Sequence, residues 1–166
     1  MKIETNRIAA GPLMPIGLLV LFFVLSLGLF FLFRPAVDGR VFFYPDNSGS
    51  RIEAERRSVP RQKDPAGRIH VFLEELFLGP VTLKYSPAAP FDTEVRHVAV
   101  IEKTVYADLG KSMLKCDEQL AIGFDEALEN LQYNILRNFP RMEKVVFTIE
   151  GSEVHAPYFG ADLGSE

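Results

Sequence analysis

Between Leu13 and Phe33 the chain runs through 21 positions without a charged residue, and Leu, Val and Phe cover every face of a helix there rather than one stripe. At ~1.5 Å per residue, such a helix spans about the ~30 Å hydrocarbon layer of a bilayer. A secretory signal peptide has an apolar stretch of roughly 7–15 residues and a small-x-small cleavage site, whereas this run ends in Phe33-Arg34-Pro35. The pattern therefore predicts an uncleaved, single-pass anchor whose partner is the lipid bilayer. No cysteine comes after it closely enough for a lipidated form.

Beyond the anchor the periodicity changes. Val41-Phe42-Phe43-Tyr44 is a β-rich apolar run ended by the turn sequence Pro45-Asp46-Asn47-Ser48-Gly49-Ser50, and Arg51 to Val59 alternates as a half-exposed strand returning beside it. Asp64-Pro65 is a helix start, with Ile69, Phe72, Leu73, Leu76 and Phe77 at three-and-four spacing and Gly79-Pro80 as the stop. A proline-rich crossing, Ser86 to Pro90, leads to two alternating runs, Glu94 to Ile101 and Thr104 to Leu109. Glu102-Lys103 between them is a poor primed-turn pair, which leaves room for a turn wider than two residues. Phe124, Leu128, Leu131, Ile135 and Phe139 form the stripe of a second helix, with Asp125 and Glu126 in its first turn and Arg137 in its last, ended by Pro140. Val145, Phe147 and Ile149 alternate in a final strand that stops at Gly151-Ser152.

The order strand, strand, helix, hairpin, helix, strand predicts an α+β fold: a transmembrane helix, then a two-layer domain with a mixed or antiparallel sheet of about 4–5 strands and two helices packed on it. The expected divisions are a tail over 1–12, the anchor over 13–33, a linker over 34–39, a domain over 40–155 and a C-terminal tail over 156–166.

Composition narrows the function classes. From Arg34 onward 16 Lys and Arg face 21 Asp and Glu, a net charge of -5, which disfavours nucleic acid as a partner. The one basic cluster, Arg51, Arg56, Arg57, Arg61 and Lys63, is offset by Glu53, Glu55 and Asp64 to a net +2, so a solvated strand is its first reading and contact with anionic headgroups its second. The flanks of the anchor are equally basic: Lys2 and Arg7 before it, Arg34, Arg40 and Arg51 after it. Orientation therefore rests on the habit of anchors with short leading tails, which keep the tail inside and translocate the domain behind the anchor. The expected location is the cytoplasmic membrane, with the N-terminus inside and the domain outside the cytoplasm.

Candidate chemistry is sparse. Cys116 is the only cysteine, which excludes an internal disulfide and every multi-cysteine metal site. His70, His97 and His155 lack the i, i+3 or i, i+4 spacing that builds a metal site on one helix, so no metal and no cofactor is expected. Asp125 and Glu126, like Glu74 and Glu75, are adjacent on a helix and point about 100° apart, which suits a solvated face rather than paired acid and base. Cys116 has no histidine nearby in sequence to act as its base. No phosphate-binding glycine loop or nucleophile elbow appears. The chain is therefore expected not to be an enzyme, with a hydrolase built on Cys116 as the least favoured reading.

Taken in order, several of these stretches resemble the GerMN domain of sporulation and spore germination proteins. Val41 to Pro45 looks like its opening strand, and Arg56-Arg57-Ser58-Val59-Pro60 like its basic segment ending in Val-Pro. Leu73 to Pro80 is similar to its helix with the Leu-x-x-Gly-Pro ending, Thr104 to Leu109 to the strand ending in Asp and an apolar residue, and Asn138-Phe139-Pro140 running into Val145 to Gly151 to its closing segment. The positions that carry the resemblance are Tyr44, Pro45, Leu76, Gly79, Pro80, Asp108, Leu109, Phe139, Pro140 and Gly151. Two features depart from the family pattern: Glu102-Lys103 replaces a glycine-rich turn, and one domain stands where members often carry two. The resemblance implies a non-catalytic module at the outer face of the cytoplasmic membrane. Its fold is similar to small ring-building modules that pack side by side, with an envelope protein or a second copy as partner. A second expectation is a module for cell-wall polymer such as peptidoglycan, with Tyr106, Tyr133 and Tyr158 stacking on sugars.

Overall fold

The apolar run Val41–Tyr44 lies inside a longer strand, β1 (Val37–Pro45), in a computed structural model that describes residues 13–33 and 36–154. The chain divides into two units, 1–36 and 37–166. In the first, helix α1 (Leu13–Phe33) is long and apolar enough to cross a membrane, and its described side chains are exposed.

In the second unit, β1 pairs antiparallel with β2 (Ile52–Pro60), from Val37 opposite Pro60 to Pro45 opposite Ile52. Val37 to Gly39, expected as linker, are thus already strand. The cause is local: β2 is long enough to partner them, and Arg61 holds Asp38 at 2.7 Å. The turn between the strands closes on Asp46, whose carboxylate accepts from the N–H groups of Ser48 and Ser50. Helix α2 (Pro65–Phe77) starts where Asp64 accepts from the Gly67 N–H at 2.7 Å, and buries Ile69, Phe72, Leu73, Leu76 and Phe77. It stops at Gly79, which takes φ +80°, a left-handed conformation that glycine adopts without steric cost.

Strands β3 (Val95–Ile101) and β4 (Thr104–Leu109) are joined by a two-residue turn, since Ile101 pairs with Thr104. The wider turn is not used, and Glu102 takes φ +56° instead. Register decides this, because a one-residue slip would turn Val98, Val105 and Ala107 away from the core. A 3-10 turn (Lys111–Lys115) and the short helix α3 (Cys116–Gln119) come next, burying Met113 and Cys116. Helix α4 (Phe124–Asn138) crosses back so that β5 (Lys144–Ile149) lies parallel to β4, and β6 (Ser152–Glu153) returns antiparallel on β5.

The result is α+β: a four-stranded mixed sheet in the order β3-β4-β5-β6 and a separate β1-β2 ribbon. One core joins them. Helices α2 and α4 cover the sheet face carrying Val98, Val105, Leu109, Val145 and Phe147, and the ribbon adds Phe42, stacked at 4.8 Å on Phe72, which meets Phe139 edge-on at 5.5 Å. His97, Tyr106 and Ile101 lie exposed on the opposite face.

Candidate functional site

The seam between α4 and β1 is built by asparagines four residues apart. Asn134 accepts from the Phe43 N–H at 2.8 Å and donates to the Phe43 carbonyl at 2.8 Å. Asn138 does the same to Val41, at 3.0 and 2.6 Å. Four helical residues advance ~6 Å and two strand residues ~6.8 Å, so side chains at i, i+4 on the helix reach alternate peptide units of an antiparallel strand. These amides satisfy the β1 edge that β2 leaves open, which is why the ribbon does not join the main sheet.

The third asparagine breaks the pattern. One more step along the seam brings Asn130 opposite Pro45, which has no N–H and whose carbonyl is taken by the Ser86 N–H at 2.8 Å. Asn130 is only 5% exposed, its Oδ1 accepts from Asn134 at 3.1 Å, and its Nδ2 has no partner. Buried polar atoms are normally paired, so this one marks a place of interest.

Asn130 lines a groove of about 720 Å³ between α4 and the β1–β2 turn. Pro45, Ile52 and Leu136 give it apolar walls, and Tyr133, which meets Phe43 edge-on at 5.0 Å, stands half-exposed at its rim. Four charged residues also line it: Glu126 and Glu129 toward the start of α4, Arg137 in its last turn, and Arg51 on the opposite wall. Among the described residues none of the four forms an ion pair. Glu126 does accept from the Gly123 N–H and so helps cap α4.

Pro45 apart, which forms a wall of the groove, the residues that carry the family resemblance lie elsewhere, in three clusters. The Tyr44 hydroxyl donates to the carbonyls of Leu76 and Gly79, just before Pro80, and Arg57 joins it there, donating to Gly79 at 2.7 Å beneath its pair with Glu55. Burial pushes the Tyr44 phenol well above its ordinary range, so it stays a donor. Within the four-stranded sheet, Asp108 accepts from the Thr148 hydroxyl at 2.7 Å and the Gly151 N–H at 2.8 Å, and the buried Leu109 accepts from Glu150. Those bonds hold the Asp108 carboxyl below its ordinary value. Phe139, with Pro140 after it, closes α4 and lies under the Arg40 guanidinium at 4.5 Å.

Cys116 is fully buried, with its thiol set against the Met113 carbonyl at 2.9 Å. Burial, and then the Asp117 carboxylate, push its pKa up to about 12. It is therefore a protonated thiol at neutral pH, without the activation a nucleophile needs. His70 pairs with Glu74 on α2 at 3.3 Å and His97 is exposed on β3. His155 and Tyr158 lie outside the described residues.

Apolar stripes alone do not reveal the groove. The signal available in the sequence is Asn130, Asn134 and Asn138 at spacing four, a polar stripe on the edge of an amphipathic helix.

The family model for Germane, described as sporulation and spore germination, matches residues 40–155. Among solved structures, the first GerMN domain of the sporulation protein GerM from Bacillus subtilis is similar at 22% identity and a TM-score of 0.51, over 76% of this chain and 94% of that one. The tandem GerMN domains of the same protein are similar at 18% identity and a TM-score of 0.52, over 78% of this chain. This chain spans 45% of that tandem structure's length. No curated protein matches it.

Proposed function

Since the chain belongs to the Germane family of sporulation and spore germination domains, we propose that it is a membrane-anchored, extracytoplasmic GerMN module. In this reading it acts without catalysis, as a protein-interaction or assembly part of a bacterial cell-envelope complex. The observation that carries the reading is a GerMN-type domain placed directly behind a helix apolar enough to cross a membrane. Only residues 34–36 separate α1 from β1, so binding partners would meet the domain close to the bilayer, where tethering raises its effective concentration. Between α2 and β3, Leu78, Val81, Leu83 and Phe91 are exposed, and Leu78 and Phe91 line one depression, an apolar surface that supports a role in association. A photo-crosslinker placed in the intact chain at Asp125, Arg56 or Leu83 should capture envelope proteins. Capture of none at all three positions would remove the reading.

The second reading, a module for peptidoglycan, is favoured by the partial exposure of Tyr106 and Tyr133, aromatic faces available to sugar rings. Co-sedimentation of the intact protein with purified cell wall, lost on Y106A or Y133A, would favour it over protein assembly.

A further inference from the structure

We propose that the groove between α4 and the β1–β2 turn binds an extended segment of a partner polypeptide, one backbone carbonyl of which accepts a hydrogen bond from Asn130 Nδ2. The proposal rests on the reading of the chain as a protein-interaction module and specifies where the partner sits.

Three observations converge on a polypeptide. Asn134 and Asn138 already hold peptide units of β1 through their side-chain amides, and Asn130 continues the same four-residue step with its donor unused. The unused donor has a definite cause, because the carbonyl next along the seam, that of Pro45, accepts instead from the Ser86 N–H. A donor screened from water gains most from a new acceptor, since it is not giving up a bond to solvent. Nδ2 is covered in the free chain, so the acceptor reaches it as the rim of the groove yields.

The groove's own charges define the segment. Glu126 and Glu129 toward the start of α4 call for a basic side chain and Arg137 in its last turn for an acidic one, with Ile52 and Leu136 accepting an apolar residue between; Arg51, on the opposite wall, lies near the glutamate end. None of these four charges has an ionic partner among the described residues; Glu126 is engaged in capping α4, and Glu129, Arg137 and Arg51 remain available to a ligand. A neutral glycan would leave both charged ends unanswered.

The test uses the full-length chain in lipid nanodiscs, panned against a displayed library of short random peptides. Selected peptides should carry a basic and an acidic residue flanking an apolar one, and N130D should weaken their binding about tenfold, the value of one lost hydrogen bond of ~1.4 kcal/mol. Asp keeps the acceptor that Asn134 uses and removes the donor but adds a charge, so N130L, which removes the donor without one, is measured beside it and should show the same loss. Should N130D fail to fold, the exposed charge reversals E129K and R137E still decide: each should lower binding and invert the matching charge in a fresh selection. Failure to enrich any peptide, or peptides that bind N130D, E129K and R137E as well as the parent, would overturn the proposal. So would peptidoglycan that co-sediments with the parent and is released by these three variants, which would assign the groove to glycan. If in-cell crosslinks from Leu83 persist unchanged in the N130D chain while no peptide binds, the groove proposal fails and the interaction-module reading stands.

Discussion

Asn134 is fully buried and serves both polar groups of Phe43, so N134A should leave two edge groups of β1 unpaired and cost about 2–3 kcal/mol in denaturant unfolding. N130L should be close to neutral, because Nδ2 has no partner to lose and Asn134 keeps its bonds to the carbonyls of Phe43 and residue 130. Equal losses from both would refute the account of the seam. Asp108 provides the pH dependence at this scale. Its folded-state pKa is held below the unfolded value of ~3.9 by Thr148 and Gly151, so its contribution is complete above about pH 5 and is lost as pH falls through and below ~4. Thermal midpoints should therefore fall across that acid range, and D108N should flatten the limb. Cys116 should resist alkylation at pH 7 in the folded chain and react once the chain is unfolded. Its role is not legible in the sequence, where Lys115 and Asp117 flank it with opposing effects; burial, which depends on the fold, outweighs both.

At the scale of elements, most boundaries can be read from periodicity and stop signals. The start at Asp64-Pro65 and the end at Gly79 of α2 are local chemistry, a capping carboxylate and a left-handed glycine. The turn at Glu102-Lys103 is not legible, because its sequence opposes the conformation that register imposes. E102G should relieve the left-handed strain at φ +56° and stabilise the hairpin by about 0.5–1 kcal/mol. Gly49 and Gly79 allow a sharper comparison. Both have positive φ, but a Cβ at Gly49 would meet the Ala121 carbonyl at 2.9 Å, whereas one at Gly79 would meet nothing closer than Pro87 at 3.9 Å. G79A should cost about 1 kcal/mol, the left-handed penalty alone, and G49A distinctly more. The 3-10 turn over Lys111–Lys115 and α3 leave no trace in the pattern because neither is long enough to establish a period.

For the whole molecule the membrane expectation has its own test. A reporter fused after Glu166 should be active only outside the cytoplasm, and cytoplasmic activity would overturn the proposed topology. By itself the sequence determined the apolar helix Leu13–Phe33, the α+β order of elements and the stretches that resemble GerMN, because hydrophobic period, caps and turn residues are encoded locally. Only the tertiary structure decided that β1 and β2 stand apart from the sheet, since that depends on which element covers the outer edge of β1. Asn134 lies 91 residues from Phe43 and Asn138 lies 97 from Val41, and the spacing of these asparagines acquires meaning only when α4 is laid antiparallel along the strand. The same packing buries Cys116 and leaves Asn130 without an acceptor, because burial and unmet hydrogen bonds belong to long-range contacts that no local pattern contains.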